Sequence, residues 1–276
     1  MTASVATTLR RRLDAGEVLV GPSVMTGSPA AVEICAFGGF DWVMLDAEHG
    51  PTGIDLDLEN LVRAAGAVGV PAGVRVPDRS GAGIGKALDF GAEAIWVPQV
   101  ATAADAEACV ERAKYAPTGT RGICRGSRAG DRGTAATEYR ARADRDTLLV
   151  ALLETAEAVD NAAAIAAVEG IDAICLGPTD FASDIGLATS EFVGPDTPGP
   201  RHPTIAAALE RVLGAARDHD LVPCAYAYDP IWLEHLLGEG CRFILFGTDV
   251  SLFREAIEGV TARVASAKAI VAGPSS

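Results

Sequence analysis

Short apolar runs alternate with Ala-rich stretches of helical periodicity along the chain. The apolar runs are Val18–Val24, Trp42–Asp46, Ala72–Val76, Ala94–Val97, Leu148–Leu153, Ala173–Gly177, Leu221–Ala227 and Arg242–Gly247, eight in all. Each is apolar at consecutive rather than alternate positions, as strands covered on both faces are. Between them, Ser28–Gly38, Leu56–Val68, Gly83–Phe90, Ala103–Lys114, Glu157–Val168, Ile205–Asp218 and Ile231–Gly238 can hold crossover helices. Eight such units in about 250 residues predict an α/β fold, a (β/α)8 TIM barrel, as a single domain over 1–276. A doubly wound open sheet is the alternative, without a GxGxxG turn or Walker loop to support it.

Two insertions interrupt the rhythm. Tyr115–Asp146 is rich in Arg and Gly and falls between the fourth and fifth strands; Gly186–Pro203 is rich in Gly and Pro and follows the sixth. Both are expected to begin on the active-site face of a barrel, as lids, subunit contacts or plain connectors. Arg10, Arg11 and Arg12 lie in an amphipathic first helix and read as its solvated face. The tail after Ala265 is expected to fray.

Composition narrows the function. Hydrophobic residues make up 49% and charged residues 22% of the 276, enough for a large core. Lys and Arg total 23 against 37 Asp and Glu, a net charge of −14. This excess of acid argues against nucleic acid and against anionic lipid as partners, since both need a cationic surface. It leaves anionic small molecules open, because one local Arg or metal can dominate a pocket. No window approaches the ~20 apolar residues of a membrane span, and the N-terminal stretch lacks the features of a signal peptide. The six cysteines form no CxxC pair, and Cys175 and Cys224 sit in apolar runs, so a reducing, cytoplasmic setting is expected.

Candidate chemistry sits where apolar strands end in polar residues. These ends are Asp46-Ala47-Glu48-His49-Gly50-Pro51, Val74-Arg75-Val76-Pro77, Leu153-Glu154-Thr155, Gly177-Pro178-Thr179-Asp180 and Gly247-Thr248-Asp249. In one barrel they converge on its top face. Glu154 and Asp180 would repel each other unless one took a proton or a divalent cation lay between them; oxygen ligands suit a hard ion such as Mg2+ or Mn2+. As N-cap or loop carboxylates they need no metal. His49 alone of the four histidines closes a strand, as a general base or a simple loop residue, while His202, His219 and His235 read as surface groups. Arg75 suits a carboxylate or an enolate oxygen, or a salt bridge to a strand-end acid such as Asp46. Asp89, near a helix C-terminus, either has a specific partner or is solvated. The Thr179 and Asp180 amides could face an anion, phosphate included.

Taken together, Gly39-Phe40-Asp41-Trp42-Val43-Met44-Leu45 and the Asp46–Pro51 segment resemble the signature of the HpcH/HpaI aldolases, metal-dependent class II pyruvate aldolases. Val74–Pro77, Leu88–Ala92, Val97–Val100, Tyr115-Ala116-Pro117, Gly119–Gly122, Leu153–Thr155, Val168–Asp172, Gly177–Asp180 and Gly247–Asp249 agree in order, so the similarity spans Val18 to Phe253. The resemblance implies a (β/α)8 barrel that exchanges a C-terminal helix between subunits of a homo-oligomer, a trimer or hexamer. It implies Glu154 and Asp180 as ligands of a divalent metal (Mg2+, Mn2+ or Co2+) and Arg75 as the group on the pyruvate carbonyl oxygen. It implies His49 as the catalytic histidine and Asp89 as its dyad partner. Gly177, Thr179 and Asp180 would hold the pyruvate carboxylate. The implied substrates are a small 2-oxo acid and an aldehyde, forming or cleaving 4-hydroxy-2-oxo acids.

Several positions depart from the family pattern. Leu152 stands where close members carry Gln, Ser23 where the first strand carries an aromatic residue, and Tyr226-Ala227-Tyr228 where small or aliphatic residues are common. The loop Cys124–Arg128 is also less closely matched. These changes point to an altered aldehyde half-site. Related chemistry on oxaloacetate or an acyl-CoA thioester is the first alternative, the Arg121–Arg132 segment being the one feature that would suit CoA. A non-catalytic carboxylate-binding barrel is the second.

Overall fold

The computed structural model describes residues 8–187 and 202–272. Eight parallel strands, β1 (Leu19–Val24), β2 (Val43–Asp46), β3 (Ala72–Arg75), β4 (Ala94–Val97), β5 (Leu148–Leu153), β6 (Ala173–Leu176), β7 (Cys224–Ala227) and β8 (Phe243–Thr248), form one sheet. Their order is β6-β5-β4-β3-β2-β1-β8-β7, a nearly closed (β/α)8 barrel. No strand ladder joins β6 to β7 among the described residues. At the amino-terminal end of that seam Val222 N donates to Asp172 O at 3.0 Å. Farther up, Cys224 meets Cys175, and beyond the strands Tyr228 stands beside the Thr179 side chain.

The returning helices are α2 (Pro29–Phe37), α3 (Leu56–Ala67), α4 (Gly81–Phe90), α5 (Ala103–Ala113), α7 (Ala156–Asp160), α8 (Ala162–Ala166), α10 (Pro203–Asp218) and α11 (Pro230–Gly238). Preceding them are α1 (Leu9–Asp14), with α6 (Ala136–Asp146), α9 (Pro178–Asp184) and α12 (Asp249–Ala272) as additions. The stretch expected as one helix over Glu157–Val168 is two, broken at Asn161, whose side chain donates to Ala101 O at 2.9 Å. None of the described helices is long and apolar enough to cross a membrane.

Two apolar layers follow from the strand pattern. Outward residues such as Val43, Leu45, Val74 and Ile95 pack under the helices. Inward ones, Trp42, Met44, Trp96, Cys175, Cys224 and Phe243, fill the barrel. Trp42 and Trp96 stack at 5.8 Å, and Phe243 lies 4.4 Å from Trp42, so aromatic volume replaces the usual aliphatic filling. Cys175 and Cys224 are buried thiols, as their apolar runs predict.

Three expectations are corrected and a fourth lies mostly outside the described residues. Arg11 of α1 is exposed as expected, but Arg10 and Arg12 are not a solvated face. Leu9 and Leu13 close the barrel's amino-terminal end, while Arg10 pairs with Asp172, Arg12 with Asp41 at 2.9 Å, and Arg11 with Asp146 at 3.8 Å. Leu9 N also donates to Glu93 at 2.9 Å. These acids lead into or adjoin strands, so the plug is tied to the barrel by charge. The Tyr115–Asp146 insertion does not begin on the active-site face. It follows α5, which has already carried the chain back to the amino-terminal face, and it folds there into a short 3-10 turn at Arg128–Gly133 and α6. The Gly186–Pro203 insertion lies mostly outside the described residues. The tail does not fray at Ala265, because α12 continues to Ala272.

Candidate active site

At the carboxyl end of the barrel, Asp46 closes β2 and faces its register partner Arg75 on β3. Its two oxygens accept from Arg75 Nε at 2.9 Å and Nη2 at 2.6 Å, a bidentate pair with Asp46 fully buried. Asp46 Oδ1 also accepts from Glu48 N at 3.0 Å and His49 N at 3.3 Å, which folds the turn after β2 back over the pair. The salt bridge to Asp46, one of the two roles open to Arg75 from sequence, is therefore formed. It leaves Nη1 free of Asp46, 3.2 Å from Glu48 Oε2. Burial works against the Arg75 charge, but the bonds to Asp46 and the nearness of Tyr226 and Glu48 raise its pKa overall. This guanidinium is permanently charged and rigidly aimed.

Glu48 lies between Arg75 and His49, whose Nε2 is 3.6 Å from Glu48 Oε2. Its Oε2 is buried and makes no hydrogen bond. Burial pushes its pKa up, while Arg75 and His49 pull it down. The His49 side chain is 53% exposed, at the rim rather than the floor.

Glu154 follows β5 and is buried. One oxygen accepts from Gln99 N at 2.7 Å. Gln99 turns that amide inward by adopting φ 56°, a left-handed conformation unusual for a residue with a side chain. Gly177, after β6, makes the necessary room: a Cβ there would lie 2.6 Å from Glu154 Cγ. Burial, then Glu48 and Asp180, raise the Glu154 carboxyl to about 7 against the Gln99 bond and Arg75. Asp180 and Thr179 stand exposed in the first turn of α9, behind Pro178. First-turn amides have no intrahelical partner.

Glu48 and Glu154, each raised by burial and by neighbouring carboxylates that include Asp180, stand beside a single arginine and form a set short of positive charge. That is the chemistry a divalent cation satisfies. Among the described residues no group of three or more His, Cys, Asp or Glu is arranged to cage a metal. Two carboxylates and water are what a small hard ion such as Mg2+ uses, and Glu154 and Asp180 fit that pattern.

Asp89 is not part of this cluster. It sits in the last turn of α4, which runs from the carboxyl face back to the amino-terminal face, and so at the far end of the barrel from His49. There it accepts from Arg121 Nη2 at 2.8 Å. Arg121 is itself buried against Tyr115, 4.6 Å from its ring, and Tyr139. Within one chain the expected His49–Asp89 dyad does not form. The same folding carries Arg121–Arg132 away from the site. Two contributors, Glu48 and Gln99, are not singled out from the sequence, and Tyr226 is noted there only as a departure from the family pattern. Glu48 is hidden inside a motif, Gln99 acts through its backbone, and Tyr226 ends β7 with its ring edge-on to Trp96.

The chain matches the model of the HpcH/HpaI aldolase/citrate lyase family over residues 24–256. It is 32% identical over 254 residues to a hydroxypyruvate/pyruvate aldolase of Pseudomonas aeruginosa, covering 92% of this chain and 91% of that one. It is 34% identical over 238 residues to a 4-hydroxy-2-oxovalerate aldolase of Novosphingobium aromaticivorans, covering 86% and 87%. A crystal structure of a family protein from Burkholderia cenocepacia J2315 superposes with a TM-score of 0.83 at 31% identity, over 93% of this chain and 98% of that one.

Proposed function

Because this chain belongs to the HpcH/HpaI aldolase/citrate lyase family and is thus a class II aldolase, a carbon–carbon lyase, we propose that it forms or cleaves 4-hydroxy-2-oxo acids from a pyruvate-type donor and an aldehyde. The observation that carries the reading is the buried Glu154 carboxyl, raised to about 7 beside Glu48 and Asp180 and facing the fixed Arg75. Glu154 and Asp180 would hold the divalent metal, Mg2+, Mn2+ or Co2+. Bound there, the metal would acidify the C3 proton of a 2-oxo acid and share the oxygen charge that its removal creates.

The chain's own groups supply the rest. Arg75, immobilised by Asp46, turns Nη1 toward the keto oxygen and stabilises it as an enolate. The amides of Thr179 and Asp180 receive the carboxylate, with Gly177 keeping the approach open. His49, at the rim beside Glu48, takes the C3 proton of the donor and passes a proton to the aldehyde oxygen as the bond forms; in cleavage it removes the C4 hydroxyl proton and returns one to C3. Asp89 enters only if another subunit of a homo-oligomer presents it to His49.

The test is proton NMR of pyruvate in D2O with Mg2+, Mn2+ or Co2+ and an EDTA control. The wild type should lose the methyl signal only with metal. Glu154→Ala should lose both exchange and Mn2+ affinity, the latter read by electron paramagnetic resonance, while circular dichroism stays barrel-like. His49→Ala should keep Mn2+ and lose exchange. A fully active Glu154→Ala protein would refute the metal assignment.

A further inference from the structure

A cleft of about 290 Å³ lies on the flank of the barrel, between the first half of α4 and the segment that follows α5. None of Arg75, Glu154, Asp180 and His49 lines it. Two arginines do, Arg112 and Arg121, and among the described residues no acid joins them, in a chain whose net charge is −14. Arg112 is exposed in the last turn of α5 and has no hydrogen bond or ion pair with any described residue, whereas nearby Arg79 is taken by Asp105. The Arg112 stem crosses the first turn of α4: a Cβ on Gly81 would run into it, 3.0 Å from Nε. Glycine at that position is what admits the guanidinium. Arg121 is an independent feature of the same cleft. Its side chain is 2% exposed, and only Nη2 is bonded, to Asp89 at 2.8 Å and to Tyr139 at 3.1 Å. Nε and Nη1 have no acceptor among the described residues. A buried guanidinium that lacks two acceptors is short of negative charge.

The helix beside them adds donors. α4 has ten residues, and Ser80 at its N-cap makes no side-chain bond to it. The amides of Gly81, Ala82 and Gly83 therefore stay unpaired at the positive end of the helix dipole. The neighbouring acids are turned elsewhere: Asp78 accepts from Ser80 N at 2.7 Å, and Glu111 from the Thr120 hydroxyl at 3.1 Å. Two guanidinium forks beside a helix amino terminus suit a compact anion with several oxygens, and the cleft is larger than one phosphate group. We propose that Arg112, Arg121 and the first turn of α4 form a binding site for a phosphate group, carried by inorganic phosphate or by a small phosphate monoester, separate from the chemistry at the strand ends.

Isothermal titration calorimetry of the full chain with inorganic phosphate and with sn-glycerol 3-phosphate tests this. EDTA is present throughout, so that no metal at Glu154 and Asp180 recruits the anion, and acetate serves as the carboxylate control. The wild type should bind both phosphates and not acetate. Equal affinity for the two means that the phosphate group alone is read; tighter binding of the monoester means that the rest of the cleft is read as well. Arg112→Ala should weaken binding about tenfold or more, the worth of one charge-assisted hydrogen bond. Gly85→Asp should abolish it. Gly85 lines the cleft and a Cβ there meets nothing within 4 Å, so the carboxylate enters without displacing a neighbour. Circular dichroism checks that each variant keeps the barrel. No binding of phosphate by the wild type at millimolar concentrations, acetate bound as tightly as phosphate, or wild-type affinity in either folded variant overturns the site. Each of these leaves the aldolase reading standing, since that reading rests on Glu154 and Arg75.

Discussion

Glu154 carries a carboxyl group into surroundings that penalise its charge. Its pKa rises from an ordinary 4.5 to about 7, burial being the main cause. The folded metal-free protein therefore retains a proton that the unfolded chain releases between those values. Stability should fall as pH rises through that window and level off above it, by an amount of order 3 kcal/mol. Melting temperature against pH in the presence of a chelator measures this. Glu154→Gln should flatten the slope only in part, because burial also raises Glu48 and Glu93. Added Mn2+ should reverse the trend for the wild type, since only the deprotonated carboxyl binds it. At this scale the strand-end charges were legible because an apolar run has no packing reason to end in Arg75 or Glu154. Glu48 and Gln99 were not legible. The first matters through an unsatisfied oxygen and the second through a backbone amide, and neither property belongs to a residue type.

Among the elements, α1 shows how a short helix can be structural. Six residues cannot hold a helix by propensity alone, yet Leu9 and Leu13 are buried in the inner core and three arginines reach acids around the barrel's base. Leu9→Ala should cost about 2–5 kcal/mol in urea unfolding with the secondary structure otherwise retained. A shift below 1 kcal/mol would mean that the plug is dispensable. All eight strands could be read from their continuous apolar runs. The helices α6 and α12 were not among those expected from the apolar pattern. One is an arginine-rich helix inside an insertion, and the other turns its apolar stripe outward instead of into the core. The position of Asp89 follows from the same logic: the last turn of a returning helix lies on the face opposite the strand ends.

At the scale of the molecule, α12 presents a long exposed apolar stripe among the described residues. Val250, Phe253, Ile257, Val260 and Val264 are exposed at alternating steps of three and four residues along a helix about 36 Å long. Ile34 and Phe37 on α2 and Leu56 on α3 add further exposed apolar side chains. Such a stripe has the spacing of a helix-pairing seam, and a second copy of the chain is its expected cover. Val260→Asp should lower the oligomeric state in light scattering after gel filtration; an unchanged mass would dismiss the stripe as the contact. The β6–β7 seam is held differently from the other strand pairs. Its base is stitched by a backbone bond, and its upper part is joined by side chains, Cys224 with Cys175 and Tyr228 with Thr179. Gly177, Thr179 and Tyr226 border that upper part. Where the other neighbouring strands are tied by a ladder, these two meet through side chains, so a substitution at Cys175, Cys224, Thr179 or Tyr228 acts on the closure of the barrel itself.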